Sequence, residues 1–328
     1  MGFFRNVLAK VAGRDATSEI LGSVQPKYHS RFGGMWIDRE DWRQVLRSKR
    51  LPSELARLIE TFVEDGVVII PGAADIAAVN AFQDKIARSV RQGNSDIFYM
   101  NHGSPQLLQL KEPVDGLKIR VIDVYGALPG ALDLFSSPRL LEFLSAIFAE
   151  DPLLFQSISF DKGSQQGLHQ DTAYVCIDRP MELAACWIAL EDIRPGSGEL
   201  MYVPGSHRLP DWTFGEGRKH WSPSEDGDDT HLQWAKSLEK FGAERGVERF
   251  LARKGDILVW HADLAHGGSP VTDPTLTRQS LVGHFCPQSA RPLYFGHNPR
   301  HSVLRRHGRL AYSSNYYDLT RVAHQQLA

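Results

Sequence analysis

Cysteine is scarce. The chain of 328 residues has three, Cys176, Cys186 and Cys286, scattered and with none in a C-x-x-C pair. That excludes a disulfide scaffold, makes a thiolate metal site an unlooked-for reading, and favours a reducing compartment, with the cytoplasm as the default. Long apolar runs are missing too: no stretch approaches the roughly 20 residues that a membrane-spanning helix needs. Residues Met1 to Gly13 lack the apolar core of a secretory signal, and Asn6 stands where a myristoylation signal wants Ser or Thr. Phe3, Phe4, Val7, Leu8 and Val11 line one face of a short amphipathic helix there, expected to pack on the protein's own surface. Nor is there an excess of one charge. With 37 Lys and Arg against 39 Asp and Glu, the formal net charge is −2, which supplies no basic face for nucleic acid. Internal repeats and a Pro/Gly/Ser linker are absent as well, so one domain is expected.

What is present is an ordinary globular composition, 42% hydrophobic and 23% charged, enough for a sizeable core. Residues 1–150 read as mainly helical support. Ser53 caps a helix whose Leu55, Leu58, Ile59, Phe62 and Val63 follow the helical period. Asp65-Gly66 ends it, Val67–Ile70 is a short buried strand, and further helices are expected over Ala73–Val90 and Pro138–Phe148. From about 151 to 290 the pattern changes to short apolar runs between turns: Leu154–Phe160, Leu183–Leu190, Leu200–Pro204, Asp256–Trp260 and Gln279–Phe285. Strands of that length and spacing predict a sandwich or barrel. A polar, aromatic-studded insert at 209–250 interrupts it and reads as a lid. Its Arg218, Lys219 and His220, with the acidic run 225–229, hint at a polar or charged substrate. Residues 291–328 form a C-terminal extension with a basic stretch, Arg300 to Arg309.

The chemistry is concentrated in two segments. In Gly167-Leu-His-Gln-Asp-Thr-Ala-Tyr174, His169 and Asp171 are two apart, so in extended backbone both side chains leave one face. An imidazole and a carboxylate presented together can share one divalent metal. A third ligand is then needed, and Gly255-Asp-Ile-Leu-Val-Trp-His-Ala-Asp-Leu-Ala-His-Gly-Gly268 offers His261 and His266. Two imidazoles and one carboxylate on one side of an octahedron are the donor set of non-haem iron(II) oxygenases. Twelve residues past His266 comes Arg278. A strand ending in His266, a turn through Pro270 and Pro274, and a return strand near Arg278 would carry a guanidinium to the metal. Arg is shaped to grip a carboxylate through two parallel hydrogen bonds, which suits a co-substrate that chelates metal and ends in a distal carboxylate, as 2-oxoglutarate does.

The sequence resembles the phytanoyl-CoA dioxygenase family of iron(II)/2-oxoglutarate oxygenases. The likeness is carried, in the family's order, by Leu168-His-Gln-Asp171, Ala185-Cys-Trp-Ile-Ala-Leu-Glu-Asp192, Gly198-Glu-Leu-Met-Tyr-Val-Pro-Gly-Ser-His207, Gly255-Asp256 with His266-Gly267, and Arg278, and it covers roughly residues 50–290. It implies a mostly β fold, a double-stranded β-helix (jelly-roll, cupin-like) barrel buttressed by N-terminal helices. It implies Fe(II) on His169, Asp171 and His266, with 2-oxoglutarate and O₂ as co-substrates and Arg278 on the C5 carboxylate. Trp187, Lys118 and Ile158 match co-substrate contacts, with Gln156 close by; Tyr174, just past the H-x-D, and His284, on the face of Arg278 by strand parity, are candidates to face the site, His284 alternatively as a hydrogen-bonded core histidine. The implied reaction hydroxylates, desaturates or cyclises a small organic molecule with release of succinate and CO₂. A carboxylate at Asp171, rather than a small residue that would admit a halide, argues against halogenation. A zinc hydrolase on the same ligands and a non-catalytic ligand-binding barrel are the rival expectations.

Overall fold

The structure, a computed structural model, describes residues 27–115, 119–296 and 302–321. The N-terminal amphipathic segment, Lys118 and Arg300 lie outside those residues. Helices form where the periodicity asked for them. After α1 (Trp42–Ser48), helix α2 (Ser53–Asp65) buries Leu55, Ile59, Phe62 and Val63 along one side. Ser53 is its first helical residue, not its cap. Gly66 ends α2 with φ 76°, a left-handed conformation that a Cβ disfavours, and a Cβ there would also run into the His207 ring. Strand β1 (Val67–Ile70) follows, and α3 (Ile76–Gln92) starts later than expected because Asp75 caps it, accepting from the Ala78 amide at 2.8 Å.

The first half is not mainly helical. Strands β2 (Asn94–Asn101), β3 (Leu108–Leu110) and β4 (Ile119–Ile122) extend the sheet there. They escape a sequence reading because β2 opens on Asn-Ser-Asp and β3 and β4 are only three and four residues long. Helices α4 (Gly130–Phe135) and α5 (Pro138–Phe148) follow, the latter with Pro at its first turn. Next come β5 (Pro152–Phe160), β6 (Ala184–Ala189), β7 (Leu200–Tyr202), α6 (Pro223–Arg245), β8 (Glu248–Phe250), β9 (Ile257–His261), β10 (His266–Gly268) and β11 (Ser280–Pro287). A hairpin, β12 (Arg305–His307) and β13 (Leu310–Tyr312), joins β5 in parallel.

Among the described residues the large sheet runs β1-β9-β6-β11-β5-β4-β2-β3, and the small one β10-β7-β8. The fold is thus mostly antiparallel β in jelly-roll order, but the two sheets share no strand pairing and do not close into a barrel. Alternation along each strand divides two cores. Cys186, Ile188, Val259 and Leu281 face outward onto the helices. Ala185, Trp187, Leu258, Trp260 and Val282 face inward, against Leu200 and Tyr202 of β7. No helix among the described residues is long and apolar enough to cross a membrane.

The insert at 209–250 is largely the helix α6, kinked at Gly227 and seated by Trp234 and Leu238 on Leu168 and Val203. Two of the cations read as hints of a polar or charged substrate are spent on the protein's own acids. Arg218 pairs with Glu225 and Asp226, both at 2.8 Å, and Lys219 reaches Asp211 at 2.9 Å and Asp263 at 2.5 Å.

Candidate metal centre

The first two ligand candidates meet through the backbone. His169 and His266 form an isolated antiparallel bridge in which each amide donates to the other's carbonyl at 2.9 Å. Residues opposed in this way put their side chains on one face, and the imidazole centroids lie 4.3 Å apart. Close approach of the strands explains Gly267, where a Cβ would lie 2.6 Å from the Gln166 carbonyl oxygen. Gln170 keeps extended backbone (φ −114°, ψ 134°), so Asp171, which opens a 3-10 turn over 171–173, returns to the face of His169.

These three residues form the one group of potential metal ligands among the described residues, with donor atoms within 4.8 Å of one another. Asp171 Oδ1 is 4.0 Å from His169 Nε2 and 3.7 Å from His266 Nε2. The Nδ1 atoms of His169 and His266 lie 2.9 Å and 3.0 Å from the Gly167 and Leu264 carbonyl oxygens. Each Nδ1 therefore carries the proton and donates, and each Nε2 presents a bare lone pair to the cluster. The second carboxylate oxygen is held separately. Trp260 Nε1 donates to Asp171 Oδ2 at 2.7 Å, and His284 Nε2 approaches it at 3.5 Å. Burial pushes the Asp171 carboxyl up, but the imidazoles of His266, His284 and His169 outweigh it and hold the group below the ordinary carboxylate range. Burial, then the neighbouring His266, lowers His169 to about 3, which leaves its imidazole neutral. The neutral imidazole of His169 and an ionised carboxylate with one oxygen free and the other anchored, completed by His266, are a donor set suited to a divalent cation.

Strand register places the other candidates. Trp187 on β6 opposes Val282 on β11, Val282 opposes Ile158 on β5, and His284 opposes Gln156. All five share the inner face with Trp260, so Gln156 sits level with the metal cluster and Ile158 one step along. Arg278 is 2% exposed and approaches this face from the end of β11. Its guanidinium carbon lies 5.3 Å from the Phe160 ring centroid and 5.7 Å from that of Trp187. Burial lowers its pKa to about 10, opposed by the more distant Glu191 and Glu199. Among the described residues no carboxylate stands within ion-pair distance of it, and both Arg278 Nε and Trp187 Nε1 are buried without a partner. A cavity of about 370 Å³ beneath α3, lined by Ile86, Val90, Val121 and Leu190, includes Phe160 but none of the metal ligands, Arg278 or Trp187.

Several expectations need correction. His266 opens its strand rather than ending it, and β10 pairs with β7 in the small sheet, while Arg278 leads into the large one. The turn between them crosses from sheet to sheet. His261, the rival ligand, lies outside the cluster: it accepts from the Asp263 amide at Nδ1 (3.1 Å) and turns Nε2 towards Asp38 (3.3 Å). His207, at the turn that follows β7, lies against the Val63 carbonyl at 3.1 Å and outside the cluster. Tyr174 stands at the edge, its ring 5.7 Å from that of His169 and its hydroxyl 2.6 Å from Nε2 of His231 on α6. Trp260 and Asp263 escaped the sequence reading, and Lys219 entered it only as a charge of the insert. The only signal for Trp260 was its parity with Leu258 on a strand leading to His261.

Residues 62–279 match the family model described as phytanoyl-CoA dioxygenase (PhyH). The chain belongs to the phytanoyl-CoA dioxygenase family. The human peroxisomal phytanoyl-CoA dioxygenase is 26% identical over 147 residues, a match that covers 44% of this chain and 39% of the human enzyme. The chain therefore matches about two fifths of that relative's length. Two solved structures share the fold. The epimerase SnoN in complex with Fe3+, alpha ketoglutarate and nogalamycin RO has a TM-score of 0.55 at 20% identity, over 74% of this chain and 88% of SnoN. EctD from S. alaskensis with 2-oxoglutarate and 5-hydroxyectoine has a TM-score of 0.52 at 18% identity, over 73% of this chain and 77% of EctD. Membership in the phytanoyl-CoA dioxygenase family thus rests on the match over 62–279, and the architecture on the fold.

Proposed function

We propose that this chain is an iron(II)- and 2-oxoglutarate-dependent oxygenase that hydroxylates, desaturates or cyclises a small organic molecule. The observation that carries this reading is Arg278, a buried guanidinium with no counter-ion at ion-pair distance among the described residues, on the inner face that also bears the carboxylate–imidazole cluster. An unpaired buried cation is costly, and a carboxylate arriving with a ligand offsets that cost. Trp187 Nε1, another buried donor without a partner, adds a second demand for an acceptor in the same place.

His169 and His266 would hold iron through Nε2, and Asp171 through Oδ1. When bound, iron and 2-oxoglutarate would activate O₂, which supplies the oxidising equivalents both for the substrate and for conversion of 2-oxoglutarate to succinate and CO₂. The chain's own task is orientation. The Gly167 and Leu264 carbonyls fix the imidazole rings, Trp260 and His284 fix the carboxylate, and Arg278 sets the direction of the co-substrate. Tyr174, held by His231, closes one edge of the centre against water. Lys118, Gln156 and Ile158 are kept as further co-substrate contacts, Gln156 and Ile158 supported by their place on the inner face. A zinc hydrolase on the same ligands leaves Arg278 without a function, and a non-catalytic barrel leaves the intact set of three ligands and Arg278 without a reason.

The test is to mix metal-free protein with Fe(II) and 2-oxoglutarate under anaerobic conditions and record the weak visible charge-transfer band of the chelate. It is expected in the parent, absent in Asp171→Ala, and obtained in Arg278→Ala only at about tenfold or more 2-oxoglutarate, as loss of a charge-assisted contact predicts. A parent that forms no band but holds zinc tightly would end the oxygenase reading in favour of the hydrolase.

A further inference from the structure

The insert encloses a cavity of its own, and none of the three metal ligands, Arg278 or Trp187 lines it. It measures about 320 Å³ and lies between the loop that opens the insert and helix α6. Leu209, Pro210 and Trp212 of the loop face Trp234, Leu238 and Phe241 of the helix across it. Small-molecule sites run from roughly 300 to 1,000 Å³ and are walled mainly by apolar and aromatic side chains. Trp212, Trp234 and Phe241 suit a flat apolar body. The charged residues of the lining balance each other: Lys240 and Glu244 stand 3.9 Å apart as an i,i+4 pair. Neither sign of charge is favoured there, which selects an uncharged ligand.

Gln170 also lines the cavity. It stands between His169 and Asp171 in extended backbone, so its side chain leaves the face opposite to theirs. Its Nε2 donates to the Asp263 carbonyl at 2.8 Å, and its Oε1 accepts from Trp234 Nε1 at 3.2 Å. Gln170 thereby ties the segment bearing His169 and Asp171 to the turn before His266 and to α6. We propose that this cavity is an effector site for a small uncharged aromatic molecule, whose binding tightens metal binding through Trp234 and Gln170. A ligand packed on that pair steadies the link between the two segments that carry the metal ligands, as other groups behind metal ligands do. Coupling of this kind is reciprocal, so the metal must tighten the effector by the same factor.

The probes are 2-naphthamide, 2-naphthoate and 2-naphthylmethylammonium, which share one aromatic body and differ in charge. Binding is read by calorimetric titration of the metal-free protein, and Co(II) affinity by equilibrium dialysis with and without saturating amide. The amide is expected to bind about tenfold more tightly than either ion, because only the ions must shed a charged hydration shell. It should raise Co(II) affinity by about fivefold or more, and Co(II) should raise amide affinity equally. Ser237→Trp, which fills the cavity from α6, should abolish amide binding and leave Co(II) affinity in the absence of amide near that of the parent. Trp234→Phe keeps an aromatic wall but removes the donor to Gln170, so the amide should still bind while the coupling disappears. Thermal unfolding confirms that both variants fold. Ions that bind as tightly as the amide, amide binding that survives Ser237→Trp, or Co(II) affinity indifferent to the amide would each overturn the proposal. Coupling that persists in Trp234→Phe would overturn it too, since the route through Gln170 is part of it. No reading here involves 2-oxoglutarate, so failure of the oxygenase assignment and failure of the effector site are told apart.

Discussion

Lys219 is where the insert is bound to the metal centre, and replacing it by Met isolates that connection. The lysine and Asp263 each have side chains 2% exposed, and their charged atoms are 2.5 Å apart. Asp263 in turn accepts from the Thr172 hydroxyl at 2.5 Å, and Thr172 follows Asp171. Removing the ammonium leaves Asp263 as a buried, uncompensated carboxylate, a change that costs about 3–5 kcal/mol. Asp211, 13% exposed and also hydrogen-bonded by Ser30, adds little to that loss. At about 2–4 °C per kcal/mol in domains of 150–250 residues, the thermal midpoint should fall by about 10 °C. Asp263→Asn alone should also destabilise, but the double variant should recover about 2 kcal/mol relative to the sum of the singles. Because the pair steadies the turn that carries Asp171, Co(II) affinity in Lys219→Met should fall by about tenfold, as for other partners behind metal ligands. Urea unfolding of the four proteins and equilibrium dialysis with Co(II) measure both effects. Additive losses in the cycle would refute the pairing. A destabilised protein with unchanged Co(II) affinity would refute the connection to the centre.

Trp260→Phe removes the donor to Asp171 Oδ2 and should weaken Co(II) binding by about 10–100-fold with little change in unfolding, measured by the same dialysis. Asp123 is fully buried, accepts from the Ser157 amide and the Ser314 hydroxyl, both at 2.6 Å, and is pushed up to about 7 by burial. A raised carboxyl favours folding when protonated, so this contribution is complete below about pH 4 and lost as pH rises through about 7. It amounts to about 4 kcal/mol at most, at about 1.4 kcal/mol per pH unit of difference. Stability should therefore fall between about pH 5 and about pH 8 and flatten in Asp123→Asn; a flat parent profile in chemical denaturation would sink this reading. Gly66→Ala forces a Cβ into the left-handed region and against His207, and should cost about 1–3 kcal/mol in urea unfolding. An unchanged midpoint would show that α2 can end otherwise.

The metal ligands were legible because their spacing is a property of short backbone. His169 and Asp171 are joined by one extended residue, and any fold that keeps Gln170 extended presents them together. Arg278 was legible as an isolated cation at the head of an apolar strand, and α2 and α5 followed from periodic burial of Leu, Ile and Phe. Alternation also predicted that Arg278 and His284 share a face. It could not say what that face meets. Whether His261 or His266 completes the cluster depends on which one bridges His169, a pairing between segments nearly 100 residues apart. Strands β2 to β4 were missed for the same reason, since their hydrogen bonds come from neighbours and not from their own apolar content.

Charge behaves alike: Arg218, Lys219, Arg120 and Arg278 are indistinguishable as sequence. Tertiary packing neutralised the first two with Asp and Glu and left the last two, among the described residues, without an acid at ion-pair distance. The chain by itself determined which residues can bind a metal and an anion. Only the folded structure decided which are free to do so, because electrostatic compensation is settled by remote segments brought within a few ångströms.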